Sequence, residues 1–331
     1  LGFTLRDTDC SKMRKRALLF LLIASAGLLR AAELDEAILH YEMGEFGEAV
    51  KLLSQSRLRS SHEPEIRLWL GKSYLKLREW DKAVKEIEKA VELDPSNALY
   101  HLWLGRACGA KASHTVFFKA LGWARRVARA FETAVKLAPE NLDARFDLLD
   151  FYINAPGMVG GGRDKADAQA RAIAKLDPRK GYVARSMIFE KYRRRDLAMK
   201  ELIQATMDFP DDADAHKDLA DFYLAGRDFE KALASAQKAL ALDPNSKRSL
   251  LIREASKIRS RTGLDEAEEI LRELAAGRLR DEDPPREELY YWLGECHLAK
   301  GEAEKARRSF QAALFFNPEY EPAKKSLSGM R

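Results

Sequence analysis

Two aspartate trios are the residues of this sequence best spaced to act together. Asp143, Asp147 and Asp150 form one, and Asp214, Asp218 and Asp221 form the other. Separations of 4 and then 3 residues set all members of a trio on one face of a helix. The first of each trio answers the positive end of a helix dipole, whereas the other two sit too deep in the helix for that. A file of carboxylates attracts basic side chains. Lys72 and Arg106 supply the opposite sign earlier in the chain. Trp69, Trp103 and Trp292, each followed by Leu-Gly, offer large faces that either meet a ligand or pack against a neighbouring helix.

Other groupings could carry bond-making chemistry, and each lacks a part. His101 and Cys108 are seven apart on one helical face, which suggests a Cys-His nucleophile or a metal pair, but no third orienting group accompanies them. Packed thiols are the favoured reading of Cys108 and Cys296. The glycine-rich run Pro156 to Gly162 continues as Arg163-Asp164-Lys165, without the Gly-Lys-Ser or Gly-Lys-Thr of a phosphate loop. It reads as a wide turn, or as exposed amides that hold an anion beside Arg163. HExxH, CxxC and GxSxG are missing, and the six histidines are scattered. The expectation is a non-enzyme with no catalytic residues, no metal and no cofactor.

The elements that position these residues recur. Gly71, Tyr74, Ala83, Ala90, Pro95 returns as Ala220, Tyr223, Ala232, Ala239, Pro244, and again as Gly294, His297, Ala306, Ala313, Pro318. A unit of this length cannot bury its apolar face alone and must stack on its neighbours. Small residues let paired helices approach closely, the aromatic fills the gap beside them, and proline stops the second helix.

These residues and offsets resemble the tetratricopeptide repeat, a helix-turn-helix unit of about 34 residues. The resemblance implies an all-α, right-handed superhelical solenoid. Eight repeats are read at 33–63, 64–97, 98–141, 142–178, 179–212, 213–246, 247–286 and 287–320, with a cap at 321–331. Repeats 3, 4 and 7 depart from the phrase: about ten extra residues follow Cys108, the glycine-rich turn lengthens repeat 4, and repeat 7 trails into Asp281-Glu282-Asp283-Pro284-Pro285. The family's first helices line a concave groove, and Trp69, Lys72, Trp103, Arg106, Asp147, Asp150, Asp218, Asp221 and Trp292 occupy its ligand-facing positions. That implies a groove basic early and acidic in the middle, receiving a protein or peptide segment with basic residues. The carboxylate clamp some members use needs Lys-Asn-Asn-Lys-Arg, which the matching positions do not supply.

Met13-Arg14-Lys15-Arg16 followed by the uncharged run Ala17 to Leu29 has the layout of a secretory signal, with cleavage expected near Ala31 or Ala32 and residues 1–12 preceding the start. The apolar run falls short of the roughly 20 residues of a membrane span. Six Lys or Arg and two Asp or Glu lie in the first 32 residues, so the formal net charge of +5 falls to +1 beyond them. Clusters such as Arg193-Arg194-Arg195 stand among acids and read as a solvated face, and no nucleic-acid stripe is expected. The reading is therefore an exported interaction scaffold, periplasmic or extracellular. The alternative is the scaffold of an enzyme or polymer-handling complex with its site at Gly109–Phe118 or the Gly162 turn. A third reading is self-association through Phe315 and Phe316.

Overall fold

The computed structural model describes residues 33–56 and 63–330, and the leader read at 1–32 lies outside them. Seventeen α-helices run in sequential antiparallel pairs among the described residues. They are α1 (33–42), α2 (Phe46–Ser56), α3 (Glu63–Lys76), α4 (Trp80–Leu93), α5 (Ala98–Ser113), α6 (Phe117–Leu137), α7 (Leu142–Asn154), α8 (Arg163–Leu176) and α9 (Pro178–Lys191). The series continues with α10 (Arg195–Asp208), α11 (Ala213–Ala225), α12 (Phe229–Leu242), α13 (Lys247–Ser260), α14 (Leu264–Ala276), α15 (Arg286–Ala299), α16 (Ala303–Phe316) and the terminal α17 (Glu321–Gly329). The chain divides into two compact units. One holds α1 through Tyr41 and continues from Glu45 to Asp94; the other runs from Pro95 and takes in Glu42–Gly44.

The recurring phrase does its work where the first and second helices of a pair meet. A Cβ on Gly294 of α15 would lie 2.5 Å from the Phe310 ring of α16, and one on Gly105 of α5 would collide with Phe131 of α6. The alanines Ala83, Ala90, Ala232, Ala239, Ala306 and Ala313 are fully buried on the facing helices. In the first unit Leu34, Ala37, Leu53, Ile66 and Leu70 make one core. In the second, one cluster runs from Ala220 through Leu251, Ile252 and Leu271 to Trp292 and Cys296.

The prolines also start the following helix. Two residues after Pro95 and Pro139, the Asn97 and Asn141 side chains accept N–H bonds from Leu99 and Ala144; after Pro210, Asp212 accepts from Ala215. These are N-caps for α5, α7 and α11. At the fourth residue of the next repeat, His101, Arg145 and His216 each bond the carbonyl of the proline six residues back, at 2.9, 2.6 and 2.8 Å. His101 is thereby engaged by Pro95, and Cys108, two helical turns or roughly 10 Å along the axis, is out of its reach.

The irregular repeats have specific causes. The extra residues of repeat 3 extend its two helices to 16 and 21 residues, leaving only His114, Thr115 and Val116 between them. The glycine-rich turn of repeat 4 contains a short 3-10 turn, Gly157–Val159, with Val159 buried. Four of its amides are used internally: Val159 N–H and Gly161 N–H donate to Pro156, Gly160 N–H to Gly157, and Gly162 N–H to Tyr152. Arg163 lies over the Tyr192 ring at 4.7 Å. Those four amides are engaged, while the α8 N-terminus that follows has no side-chain cap. In repeat 7, Lys247 ties down the linker before α15 by donating to the Arg278 carbonyl and to Asp283.

Candidate interaction site

In the second unit, the aspartates on the first helix of one pair meet arginines from the first helix of the next or preceding pair. Arg106 of α5 donates from Nε to Asp147 of α7 at 2.5 Å. Arg179, buried near the start of α9, reaches Asp212 at 3.2 Å, Asp214 at 3.4 Å and Asp218 at 2.7 Å around α11. Arg248 of α13 bridges Asp221 of α11 and Glu288 of α15, both at 2.5 Å. Arg259 of α13 continues the series to Glu295 of α15 at 2.7 Å. Arg179, Arg248 and Glu288 were not among the residues singled out from sequence. Their signal is a charged residue in the first turn of a helix, one repeat from the opposite charge it meets.

The electrostatics follow from this crowding. Burial pushes the Asp218 carboxyl up to about 6, against the opposing pull of Lys217 and Arg179. Burial also raises Glu288 above the usual carboxylate range, with Arg248 working the other way. Burial works against the charge on Arg248 itself, but Asp221 and Glu288 more than offset it and raise its pKa.

Asp150 stands apart. It forms no ion pair among the described residues, and its carboxylate accepts from Asn154 Nδ2 at 2.9 Å. Partial desolvation first, and then neighbouring Asp147, lift its pKa above the ordinary value. Asp147, Asp150 and Arg106 border a cavity of about 460 Å³ between α5, α6 and α7. Its apolar wall includes Ala110, Val127, Phe131, Phe151 and Ala155. The lengthened α5 contributes Gly109, Ala110, Ala112 and Ser113 to the lining, and the start of the repeat 4 turn contributes Asn154 and Ala155. Both departures from the repeat thus border one cavity whose polar side chains are carboxylates, an arginine, an amide and the Ser113 hydroxyl.

The remaining residues expected in the groove are placed differently. Trp292 is buried in the core against Tyr291, ring centroids 5.3 Å apart, with Arg259 over it at 5.2 Å. Trp103 carries the Arg106 guanidinium at 4.7 Å and is half-buried. In the first unit, Lys72 is buried with its ammonium 3.5 Å from the Trp69 ring centroid and 5.1 Å from that of Tyr41. Arg106 and Asp147, expected at opposite ends of a charge gradient, instead neutralise each other, as cross-helix neighbours of opposite sign do. Phe315 is exposed, but Phe316 stacks on Tyr290 at 5.7 Å.

Comparison with known proteins agrees with this architecture. Tetratricopeptide repeat family models match residues 40–106, 188–247 and 287–320. The fold is similar to that of yeast Tom70, with a TM-score of 0.56 and 17% identity over 86% of this chain; the chain spans 58% of the Tom70 chain. Similar too are the APC/C hetero-tetramer Cut9-Hcn1, at 15% identity and a TM-score of 0.47 over 86% of this chain and 52% of that one, and a thermophilic TPR protein of Thermus thermophilus, at 17% and 0.43 over 69% and 98%. No curated protein matches the chain in sequence. Antiparallel pairs closed by a small residue against an aromatic or aliphatic side chain, stacked in series and matched by three repeat models, make the chain a tetratricopeptide repeat protein.

Proposed function

We propose that the chain is a protein-binding scaffold whose α5–α6–α7 cavity receives a partner segment carrying a basic residue beside a bulky apolar one. The observation that supports this is Asp150, an acid without an ion-pair partner among the described residues, at the border of an apolar cavity of about 460 Å³. A Lys or Arg paired with Asp150 would set the neighbouring apolar side chain over Val127, Phe131 and Phe151. Asp218 and Asp221 are held by Arg179 and Arg248, and their part is to fix the spacing of the first helices. Titration of labelled peptides that place one Lys at varied distance from a Phe or Leu tests the reading. Asp150→Asn is expected to weaken the best peptide by about 1 kcal/mol, or roughly fivefold, and Ala110→Trp to block the cavity. Binding untouched by both changes would sink it.

We assign the scaffold to the space outside the cytoplasm, periplasmic or extracellular. Support for that part comes from the sequence alone, in the basic Met13–Arg16 followed by the apolar run to Leu29. Amino-terminal sequencing of protein recovered from an expressing culture tests it, with a new terminus near Ala31 or Ala32 expected.

A further inference from the structure

Every non-glycine residue with positive φ among the described residues is an arginine: Arg78, Arg193, Arg227 and Arg261, at 62°, 57°, 62° and 57°. Each ends the first helix of its pair, where Gly301 does the same in the last repeat at 78°. The hydrogen bonding is alike in these turns. Arg193 and Arg227 N–H groups donate to Glu190 and Leu224, and the following residues, Arg194 and Asp228, donate five back to Phe189 and Tyr223. Arg261 and Thr262 repeat this with Ile258 and Lys257. This helix-ending motif wants glycine, because a side chain is strained in the left-handed region. Arginine therefore gains nothing for the turn.

Arg193, Arg227 and Arg261 stand in three consecutive turns of the second unit, 34 residues apart each time. The turns adjoin: Arg195 of the first donates to the Phe222 carbonyl at the second, and the second and third share an open recess of about 530 Å³ lined by Arg227, Phe229 and Arg259. All three arginines are exposed and form no ion pair among the described residues. The nearby acids are mostly committed elsewhere: Glu190 to Arg195, Asp196 to Arg194, Asp228 to Lys231, Glu266 to Lys257 and Asp265 to Lys300. Glu230 is the one described acid lining the recess outside any such pair, so the edge keeps an uncompensated positive charge.

We propose that this edge docks an extended acidic polypeptide segment, apart from the α5–α6–α7 cavity. An extended chain rises about 3.3 Å per residue, so carboxylates at every third residue recur about every 10 Å along one edge of such a segment. The rings at this edge each already carry an arginine, Arg163 over Tyr192 and Arg259 over Phe229, which leaves less stacking surface for a single-stranded nucleic acid. The turn tips carry Arg193-Arg194, Gly226-Arg227 and Arg261-Thr262, with no apolar side chain to enter a bilayer.

The test is the full chain with Arg193→Gly, Arg227→Gly and Arg261→Gly combined, which removes the charges at positions where glycine suits the backbone. The probe is a fluorescent peptide of about twelve residues with Glu at every third position, titrated at low ionic strength. Thermal melting of the triple variant is expected at or above that of the parent. Its affinity for the probe is expected to fall at least about tenfold, while the triple Lys variant keeps most of it. Asp150→Asn leaves this binding unchanged, which separates the edge from the cavity. Probe binding within about twofold of the parent in the triple glycine variant overturns the proposal. So does capture of an oligonucleotide or a phosphatidylserine vesicle by a chain that ignores the probe.

Discussion

Arg106 and Asp147 join α5 to α7 through a 2.5 Å charge-assisted hydrogen bond, and both line the cavity that the two helices share. The pair is half-exposed, and Arg106 also lies on Trp103. It thus fixes the width of the cavity from one side while leaving Asp150 to the solvent.

A double-mutant cycle with Arg106→Ala and Asp147→Ala measures that link. A coupling of about 1 kcal/mol is expected, lower at high salt, because the pair is only partly desolvated. Additive effects in thermal melts would show that the helices hold their spacing without it.

Asp218 makes a pH prediction whose sign is set by burial. Its folded pKa of about 6 lies above the unfolded value near 3.9. Between those values the folded chain holds a proton that the unfolded chain has released, so this group's contribution makes stability fall as pH rises, by about 3 kcal/mol at most. Asp218→Asn is expected to flatten that part of the profile, and Arg179 keeps Asp212 and Asp214 as partners. Urea melts at pH 4, 5, 6 and 7 check it; equal slopes in both proteins would contradict the assignment.

Gly294 tests the close approach of paired helices. Replacement by Leu drives a side chain into Phe310, and a loss of about 3 kcal/mol is expected from overpacking in a site with no room. Gly329→Leu, where nothing lies near, is expected to cost far less. Chemical denaturation of the two variants gives the comparison.

Cys296 reports on the integrity of the last repeats. Burial first, and then Glu268, push its thiol up to about 11, and its Sγ meets the Leu264 carbonyl at 3.3 Å. Reaction with a thiol reagent at pH 8 is expected to be at least about a hundredfold slower than in denaturant. Rapid labelling of Cys296 itself in the folded chain, located by peptide mapping, would mean that α14 and α15 open readily.

The helices were legible because the phrase of small residue, aromatic, alanine and proline repeats with fixed offsets, and each member has one local job. Gly105 and Gly294 mark close approach, Ala232 and Ala239 a fully buried face, and Pro95 and Pro210 a stop followed by a cap. The site was legible only in part. Asp147, Asp218 and Asp221 could be placed on one helical face, but whether they were open to a ligand depended on Arg106, Arg179 and Arg248. The nearest of these partners in sequence is 27 residues away, and spacing within one helix carries no information about it. Trp292 shows the same limit, since a position expected to line the groove is core where Arg259 and Tyr291 close over it.

The left-handed arginines bear on how this chain tolerates change. At positions 193, 227 and 261 glycine would serve folding at least as well, so selection for stability alone would let the arginines drift away. A set of homologues in which they persist together would mark a constraint imposed from outside the fold, whereas their independent loss would leave the array standing and its edge silent.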